Sequence, residues 1–352
     1  MSHWSVVRMI NRVLIVGLGS IGKRHLRLAR DLLPNADIRV LRHQSTNDVP
    51  ENSNGCFFNI EDAINFKPQI AVIASPAPFH IKIAETLVSV GTNFLIEKPL
   101  SSSLDNVSKL LETCRNQGVI LLTGYNLRFS PSLQKFRELL SEDVLGKVLS
   151  VRCEVGQYLP SWRPDDDYRA GVSARRELGG GALLELSHEL DYLRWIFGEV
   201  EWVNATLSKQ SNLDIDVEDT AHITLGFEAG PDAHHLIGVV NLDFIRHDAT
   251  RICIAIGEKG SLRWNGLTGE VDAFEVDGKE WQQLFSFKHQ RDESYQAEWE
   301  NFLECVNQRK SPLVTGEDGL KVLEIVDAIQ KSSSTNKKVY ITPSKNLEES
   351  GA

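Results

Sequence analysis

The chain has 352 residues, 41% hydrophobic and 24% charged, with a formal net charge of −10. That length suits two domains, each burying its own core, and the acidic balance argues against a dedicated nucleic-acid surface while leaving room for one local basic cleft. Five cysteines (56, 114, 153, 253 and 305) show no C-x-x-C spacing, so reduced thiols in a cytoplasmic protein are expected, not a disulfide framework or a zinc site.

No apolar run approaches membrane-spanning length, so no membrane partner is expected. The first ten residues hold no apolar signal core, and residues 1–8, ahead of Met9, read as a dispensable extension.

Residues 12–16, R-V-L-I-V, read as a buried strand that runs into G-L-G-S-I-G and then into a helical pattern through Leu26, Ala29 and Leu33. Between a strand and a helix this glycine spacing is a dinucleotide signature. Gly17 permits the tight turn, Gly19 lets the backbone approach a pyrophosphate, and Gly22 lets helix and strand pack. Ser20 and Ile21 open the helix whose N-terminus would hold the phosphates. Lys23, Arg24 and His25 add positive charge, with at least two of them expected on a solvated helix face.

Ile38–Leu41 is the second strand. Its end commonly carries an acidic residue for the ribose 2′-hydroxyl of NAD, but here the chain reads Leu41-Arg42-His43-Gln44. Arg42 can instead pair with the 2′-phosphate of NADP, so NADP is expected in preference to NAD; the alternative is a solvent-facing Arg42 and a permissive site.

Ile70–Ala74 reads as a strand, followed by Ser75-Pro76-Ala77-Pro78 as a rigid turn and an amphipathic helix through Ile83, Leu87 and Val90. His80 is placed either against the cofactor or as a packing residue at the helix start. Phe94-Leu95-Ile96 then forms a buried strand ending in Glu97, Lys98 and Pro99. A charged pair locked by proline at the end of a core strand is not needed for packing, and the carboxyl ends of parallel strands are where ligands bind. A cis bond before Pro99 is expected to fix the aim of Lys98. A helix over 104–115 and a strand over 119–123 complete a doubly wound parallel sheet.

Residues 124–131, G-Y-N-L-R-F-S-P, lead into a second domain; Asn126 falls at the cofactor edge and Arg128 is either a substrate contact or an ion-pair partner. From Val148 the pattern alternates as in longer antiparallel strands. A polar loop over 157–178, with Tyr168 and Arg169, has the length of a binding loop. Three glycines then precede a helix on which Glu185, His188 and Asp191 stand three apart and so share a face. A histidine bracketed by carboxylates suits proton transfer, although a polar helix stripe has the same look; a metal would need further ligands that the spacing does not supply. Two helices, over 293–308 and 316–331, and a short strand near Val339 close the chain. The expected division is a dinucleotide domain over 1–123, a substrate domain over 124–342 and a polar tail over 343–352.

Taken together, G-x-G-x-x-G, E-K-P, G-Y-N-x-R-F and the G-G-G histidine helix resemble the Gfo/Idh/MocA family of NAD(P)-dependent oxidoreductases. The resemblance runs from Val13 to about Ile341. It implies an N-terminal Rossmann domain followed by an α/β domain with a large, mostly antiparallel sheet that serves homodimer or homotetramer contacts. It also implies hydride transfer at an alcohol or ketone carbon, with Lys98 and His188 beside the nicotinamide. The family usually has an aspartate four residues before the histidine, where this chain has Leu184; Glu185 is the expected substitute. Arg128, Tyr168, Arg169 and Asp191 are then expected to position a sugar, a nucleotide sugar or a cyclitol. A dinucleotide-binding regulator without chemistry, and a redox-neutral enzyme that uses NAD transiently, are the alternatives; retention of Lys98 and His188 favours the oxidoreductase.

Overall fold

The computed structural model describes residues 10–43, 48–230, 235–288, 290 and 292–342. The expected extension over 1–8, the tail over 343–352 and Gln44 lie outside the described residues. The chain forms two compact units, one from Met1–Tyr125 with Tyr295–Leu320, the other from Asn126–Ser294 with Lys321–Ala352.

The first unit is built on six parallel strands: Arg12–Val16 (β1), Asp37–Leu41 (β2), Gly55–Phe57 (β3), Ile70–Ile73 (β4), Asn93–Glu97 (β5) and Leu121–Gly124 (β6). Helices Ser20–Leu32 (α1), Ile60–Phe66 (α2), His80–Val88 (α3) and Val107–Gln117 (α4) connect them. The strand order is β3-β2-β1-β4-β5-β6. Helices on both faces explain why the central strands read as continuous apolar runs: Val13, Leu14, Ile15, Val72, Leu95 and Ile96 have no exposed surface. The order reverses between β1 and β4, so the carboxyl ends of these two strands bound the crevice where such sheets bind ligands.

β3 and α2 are absent from the pattern reading. The strand is only three residues long, and the helix is announced by one local signal, Asn59, whose Oδ1 accepts the Asp62 amide at 2.8 Å. The helix expected from Leu104 begins at Val107, after Asn106 in the left-handed region at φ 59°.

The expected single cut near 123 does not describe the units, because the chain returns to the first one. Leu122 bridges Thr315, the Thr123 amide donates to the Val314 carbonyl (3.2 Å), and the Thr123 hydroxyl donates to the Thr315 carbonyl (2.9 Å). This return covers edge strand β6, which would otherwise expose unpaired backbone groups.

In the second unit Pro131–Ser141 (α5) precedes Val148–Gly156 (β7). The loop over 157–178 folds as four short 3₁₀ turns. The expected histidine helix is two helices, Ala182–Glu185 (α6) and His188–Phe197 (α7), because Leu186, at φ −102° and ψ 25°, leaves helical geometry. Strands Val200–Ser208 (β8), Thr220–Phe227 (β9), Ile237–Asp243 (β10), Thr250–Gly257 (β11), Gly260–Asn265 (β12), Glu270–Glu275 (β13), Gln282–Ser286 (β14) and Val339–Tyr340 (β15) follow. They form a nine-stranded sheet in the order β14-β13-β12-β11-β7-β10-β9-β8-β15, antiparallel except for β7 against β10. One face is covered: Val151, Cys153 and Val155 of β7 are buried while Arg152 between them is exposed. Of the last two helices, Glu293–Gln308 (α8) contributes Tyr295 onward to the first unit, and Gly316–Thr335 (α9) begins there and continues in the second.

Candidate active site

The glycine turn has the shape its spacing predicts. Gly17 adopts φ +89°, and a side chain there would meet the Ala74 carbonyl oxygen at 2.8 Å. A Cβ on Gly22 would strike the Gly17 carbonyl oxygen, whereas one on Gly19 would meet nothing within 4 Å. Gly19 is the N-cap of α1 and supplies no side-chain cap. The helix start at Ser20, Ile21 and Gly22 thus has open space at Gly19, no side-chain cap and a positive dipole end, which is what a pyrophosphate requires. The residues present fit the dinucleotide.

Around this turn stand the other residues of the sheet's carboxyl edge. The Arg42 guanidinium lies 5.9 Å from the Phe58 ring and donates from Nη2 to the Asp48 carbonyl at 3.3 Å, while its Nε is buried with no hydrogen-bond partner. The buried Ser75 hydroxyl also lacks one. Pro76 precedes the 3₁₀ turn Ala77–Phe79.

His80 is buried, with Nε2 at 2.6 Å from the Ser75 carbonyl and Nδ1 at 3.1 Å from that of Pro99. It therefore joins the turn after β4 to the turn after β5 and is a packing residue of the α3 start. Burial lowers its pKa, opposed by the two carbonyls and the Glu97 charge.

The Lys98–Pro99 peptide is cis. Glu97 is buried at the end of β5 and accepts the Lys98 amide on Oε2 at 3.0 Å. Its Oε1 lies 2.7 Å from Nε2 of His25, which has no exposed surface. His25 thus departs from the solvated face expected for most of its group, where Lys23 is exposed and Arg24 lies over the Tyr295 ring at 4.6 Å. The missed signal is its position three residues after Gly22 and four before Ala29, on the packed side of α1. Trp299 and Glu298, both fully buried on α8, complete the cluster. Burial and the Glu97 charge push the Glu298 pKa well up.

In the second unit His188 opens α7 and is 8% exposed. The break at Leu186–Ser187 puts Glu185 on a separate helix, while His188 and Asp191 stay three apart on α7. Glu185 Oε2 accepts the Ser173 hydroxyl at 2.8 Å and ties α6 to the long loop.

Arg128 and Asp191 are paired with each other: Nε to Oδ2 at 2.9 Å and Nη2 to Oδ1 at 2.6 Å, with both side chains buried. Burial pushes the Asp191 pKa up against the opposing Arg128 charge. Of the two roles expected for Arg128 the structure displays the ion pair, a fork-to-fork contact that fastens α7 to the Asn126–Phe129 turn. Asn126 donates to the Ser294 hydroxyl at 2.8 Å and is buried within this unit.

Tyr168 and Arg169 lie on the loop, where Arg169 forks onto Asp167 at 2.8 and 2.9 Å. The Tyr168 hydroxyl accepts the Asp214 amide. Tyr168, Trp162, Arg163, Asp167 and Ser173 line a cavity of about 310 Å³. Among the described residues no group of three or more His, Cys, Asp or Glu is placed to hold a metal, and no helix is long and apolar enough to cross a membrane.

A doubly wound sheet with a glycine turn at its switch point, followed by a second sheet domain, defines a dinucleotide-dependent oxidoreductase. The oxidoreductase family's NAD-binding Rossmann fold matches residues 11–125, and its C-terminal alpha/beta domain matches 137–341. The chain belongs to the Gfo/Idh/MocA oxidoreductase family.

It is 30% identical over 231 residues to an uncharacterized oxidoreductase, sll0816, of Synechocystis; that match covers 62% of this chain and 59% of the relative, so this chain spans less than two thirds of that protein's length. It is 26% identical to the myo-inositol 2-dehydrogenase of Thermotoga maritima, over 94% of this chain and 98% of the relative. Among solved structures, a levoglucosan dehydrogenase in complex with NADH superposes with a TM-score of 0.81 at 20% identity, covering 94% of this chain and 99% of the other.

Proposed function

We propose that this oxidoreductase uses NADP in preference to NAD and oxidises or forms a secondary alcohol on a sugar, nucleotide sugar or cyclitol, with Lys98 and His188 as its acid–base groups. The observation that carries the reading is the carboxyl edge of the parallel sheet, where an open, cap-free helix start at Gly19 and the Lys98 turn stand on one sheet. The bound nicotinamide supplies the hydride acceptor or donor. Lys98 hydrogen-bonds the substrate oxygen and stabilises the charge that develops on it. His188 takes or returns the hydroxyl proton. The phosphates rest on the amides of Ser20, Ile21 and Gly22, and Ser75, with its buried hydroxyl, faces the same ligand.

Arg42, with a buried Nε and no acid nearby on β2, pairs with a 2′-phosphate. The names of the inositol and levoglucosan relatives support a polyhydroxylated substrate. The loop cavity, with Tyr168 and Trp162 as flat apolar walls and Arg163 and Asp167 as polar groups, has the lining that suits a polyhydroxylated ligand. Glu185 serves this arrangement through Ser173 as a loop anchor, not as a proton partner. The open face of the nine-stranded sheet, where Ile237 and Val239 are exposed, is the surface for a homodimer or homotetramer, and the setting is cytoplasmic.

The deciding experiment follows NADPH and NADH fluorescence while purified protein meets myo-inositol, levoglucosan, aldoses, nucleotide sugars and their keto forms. Turnover of at least one member, faster with NADP(H), is expected. Cofactor binding with no turnover across the panel would end the substrate reading.

A further inference from the structure

The cluster behind Lys98 holds more order than packing demands. Trp299 Nε1 lies 2.9 Å from His25 Nδ1. An indole N–H only donates, so Nδ1 must be the acceptor and the ring proton must sit on Nε2. That proton points at Glu97 Oε1, 2.7 Å away. The other carboxylate oxygen takes the Lys98 amide. The result is an unbroken chain, Trp299 to His25 to Glu97 to the Lys98 backbone, with each donor and acceptor role fixed by its neighbour.

We propose that His25 is a positioning residue for Lys98: Trp299 holds it in the Nε2-protonated tautomer, and in that state it clamps the Glu97 carboxylate that sets the Lys98 turn. The proposal rests on the reading that Lys98 works at the reacting carbon. A proton on Nδ1 would set an N–H against the Trp299 N–H, so the indole bars the Nδ1-protonated tautomer. The groups around it leave that arrangement alone. Glu97 on β5 is the acceptor, Tyr295 on α8 stands edge-on at 6.0 Å with its hydroxyl held neutral by burial, and Arg24 on α1 is spent on the Tyr295 ring. Glu298 on α8 is fully buried, and burial and the Glu97 charge push its pKa well up.

Trp299→Phe keeps an aromatic filler and removes the N–H, and it tests the chain directly. Two measurements are made on the NADPH-bound protein: the imidazole nitrogen signals of His25 from pH 5.5 to 9, assigned by their loss in His25→Gln, and the pH profile of kcat for the best alcohol of the panel. In the unaltered enzyme His25 stays in one tautomer throughout. In Trp299→Phe nothing holds Nδ1 as an acceptor, and the Nδ1-protonated tautomer appears beside the Nε2-protonated one. To the extent that the Nδ1-protonated ring forms, its Nε2 lone pair faces the Glu97 carboxylate and kcat falls roughly tenfold as Lys98 loses its placement, while the KM for NADP stays within about twofold.

His25→Gln can still accept from Trp299 and donate to Glu97, so it retains most of kcat; His25→Leu loses kcat. A Trp299→Phe enzyme with an unchanged tautomer and a superimposable kcat profile overturns the proposal. If that variant does not fold, a His25→Leu enzyme with normal kcat overturns it equally. Failure of the unaltered enzyme to turn over any alcohol would strike the role of Lys98 and leave the tautomer measurement to decide the clamp.

Discussion

The carboxyl edge of the parallel sheet and the start of α7 are built in opposite ways. The first is made of backbone: a positive-φ glycine, helix amides and a cis proline turn, backed by side chains whose roles are fixed one by one. The second is made of side chains that mostly hold one another, with Arg128 forked onto Asp191, Ser173 onto Glu185 and Arg169 onto Asp167. A backbone site suits a cofactor whose phosphates are always the same. The buried Arg128–Asp191 pair belongs to the frame, whereas the exposed Arg169–Asp167 pair on the long loop is one where substrate preference can change without disturbing the fold.

The largest expected effect separates the reacting groups from the frame. Lys98→Ala and His188→Ala should each lower kcat by about 10² to 10⁴, the usual worth of a placed proton-transfer group, with NADPH affinity within a few-fold. Steady-state rates and fluorescence titrations measure both, and hydride transfer at the normal rate in either variant would remove that residue from the chemistry. Next comes the buried pair. Asp191→Ala strands the Arg128 charge and should cost about 3–5 kcal/mol in urea unfolding, whereas replacing both with apolar residues of similar volume should restore most of it. A loss below about 1 kcal/mol would mean that the pair is not the fastener described.

The cofactor edge is probed by Arg42→Asp. Loss of a charge-assisted contact worth about 1.5–3 kcal/mol should move the ratio of NADP to NAD dissociation constants roughly ten- to hundredfold toward NAD. An unmoved ratio would return Arg42 to the solvent.

The last effect is a slope. Glu298 has its folded pKa raised above the unfolded value, so the native state keeps a proton that the unfolded chain releases. Its contribution is complete below the unfolded value, about 4.3, and stability is lost as pH rises from there toward the raised folded value. Glu298→Gln lacks this loss and should gain on the unaltered protein by at most about 1.4 kcal/mol per pH unit across that window. Melting temperatures at pH 5, 7 and 9 that stay parallel would show that Glu298 does not titrate there.

What the sequence discloses follows the same division. Gly17, Gly22 and the Lys98–Pro99 turn were readable because each answers a local backbone demand that few residue types can meet. Alternation and apolar runs likewise announced the two kinds of sheet. β3 was too short to carry a pattern, and the α6–α7 break turns on the conformation of one residue, Leu186, that no spacing reveals.

Pairings over distance were invisible for a different reason. Arg128 and Asp191 look like two available polar groups until the fold brings them together across 63 positions. His25 looks like one more charge beside Lys23 and Arg24 until Trp299, 274 residues later, packs on it. Which polar side chain is free for a ligand is decided by tertiary partners.

That last contact also governs the order in which the molecule can be made. The nucleotide-binding unit takes Tyr295–Leu320 into its own body. A ribosome that has released the first 125 residues has delivered every strand of the parallel sheet, but not the segment that covers β6 or the indole that caps His25. The second unit must therefore emerge before the first can close. A fragment cut at Tyr125 should be prone to aggregate, and circular permutation joining that segment directly to β6 offers a cleaner route to a free-standing cofactor domain.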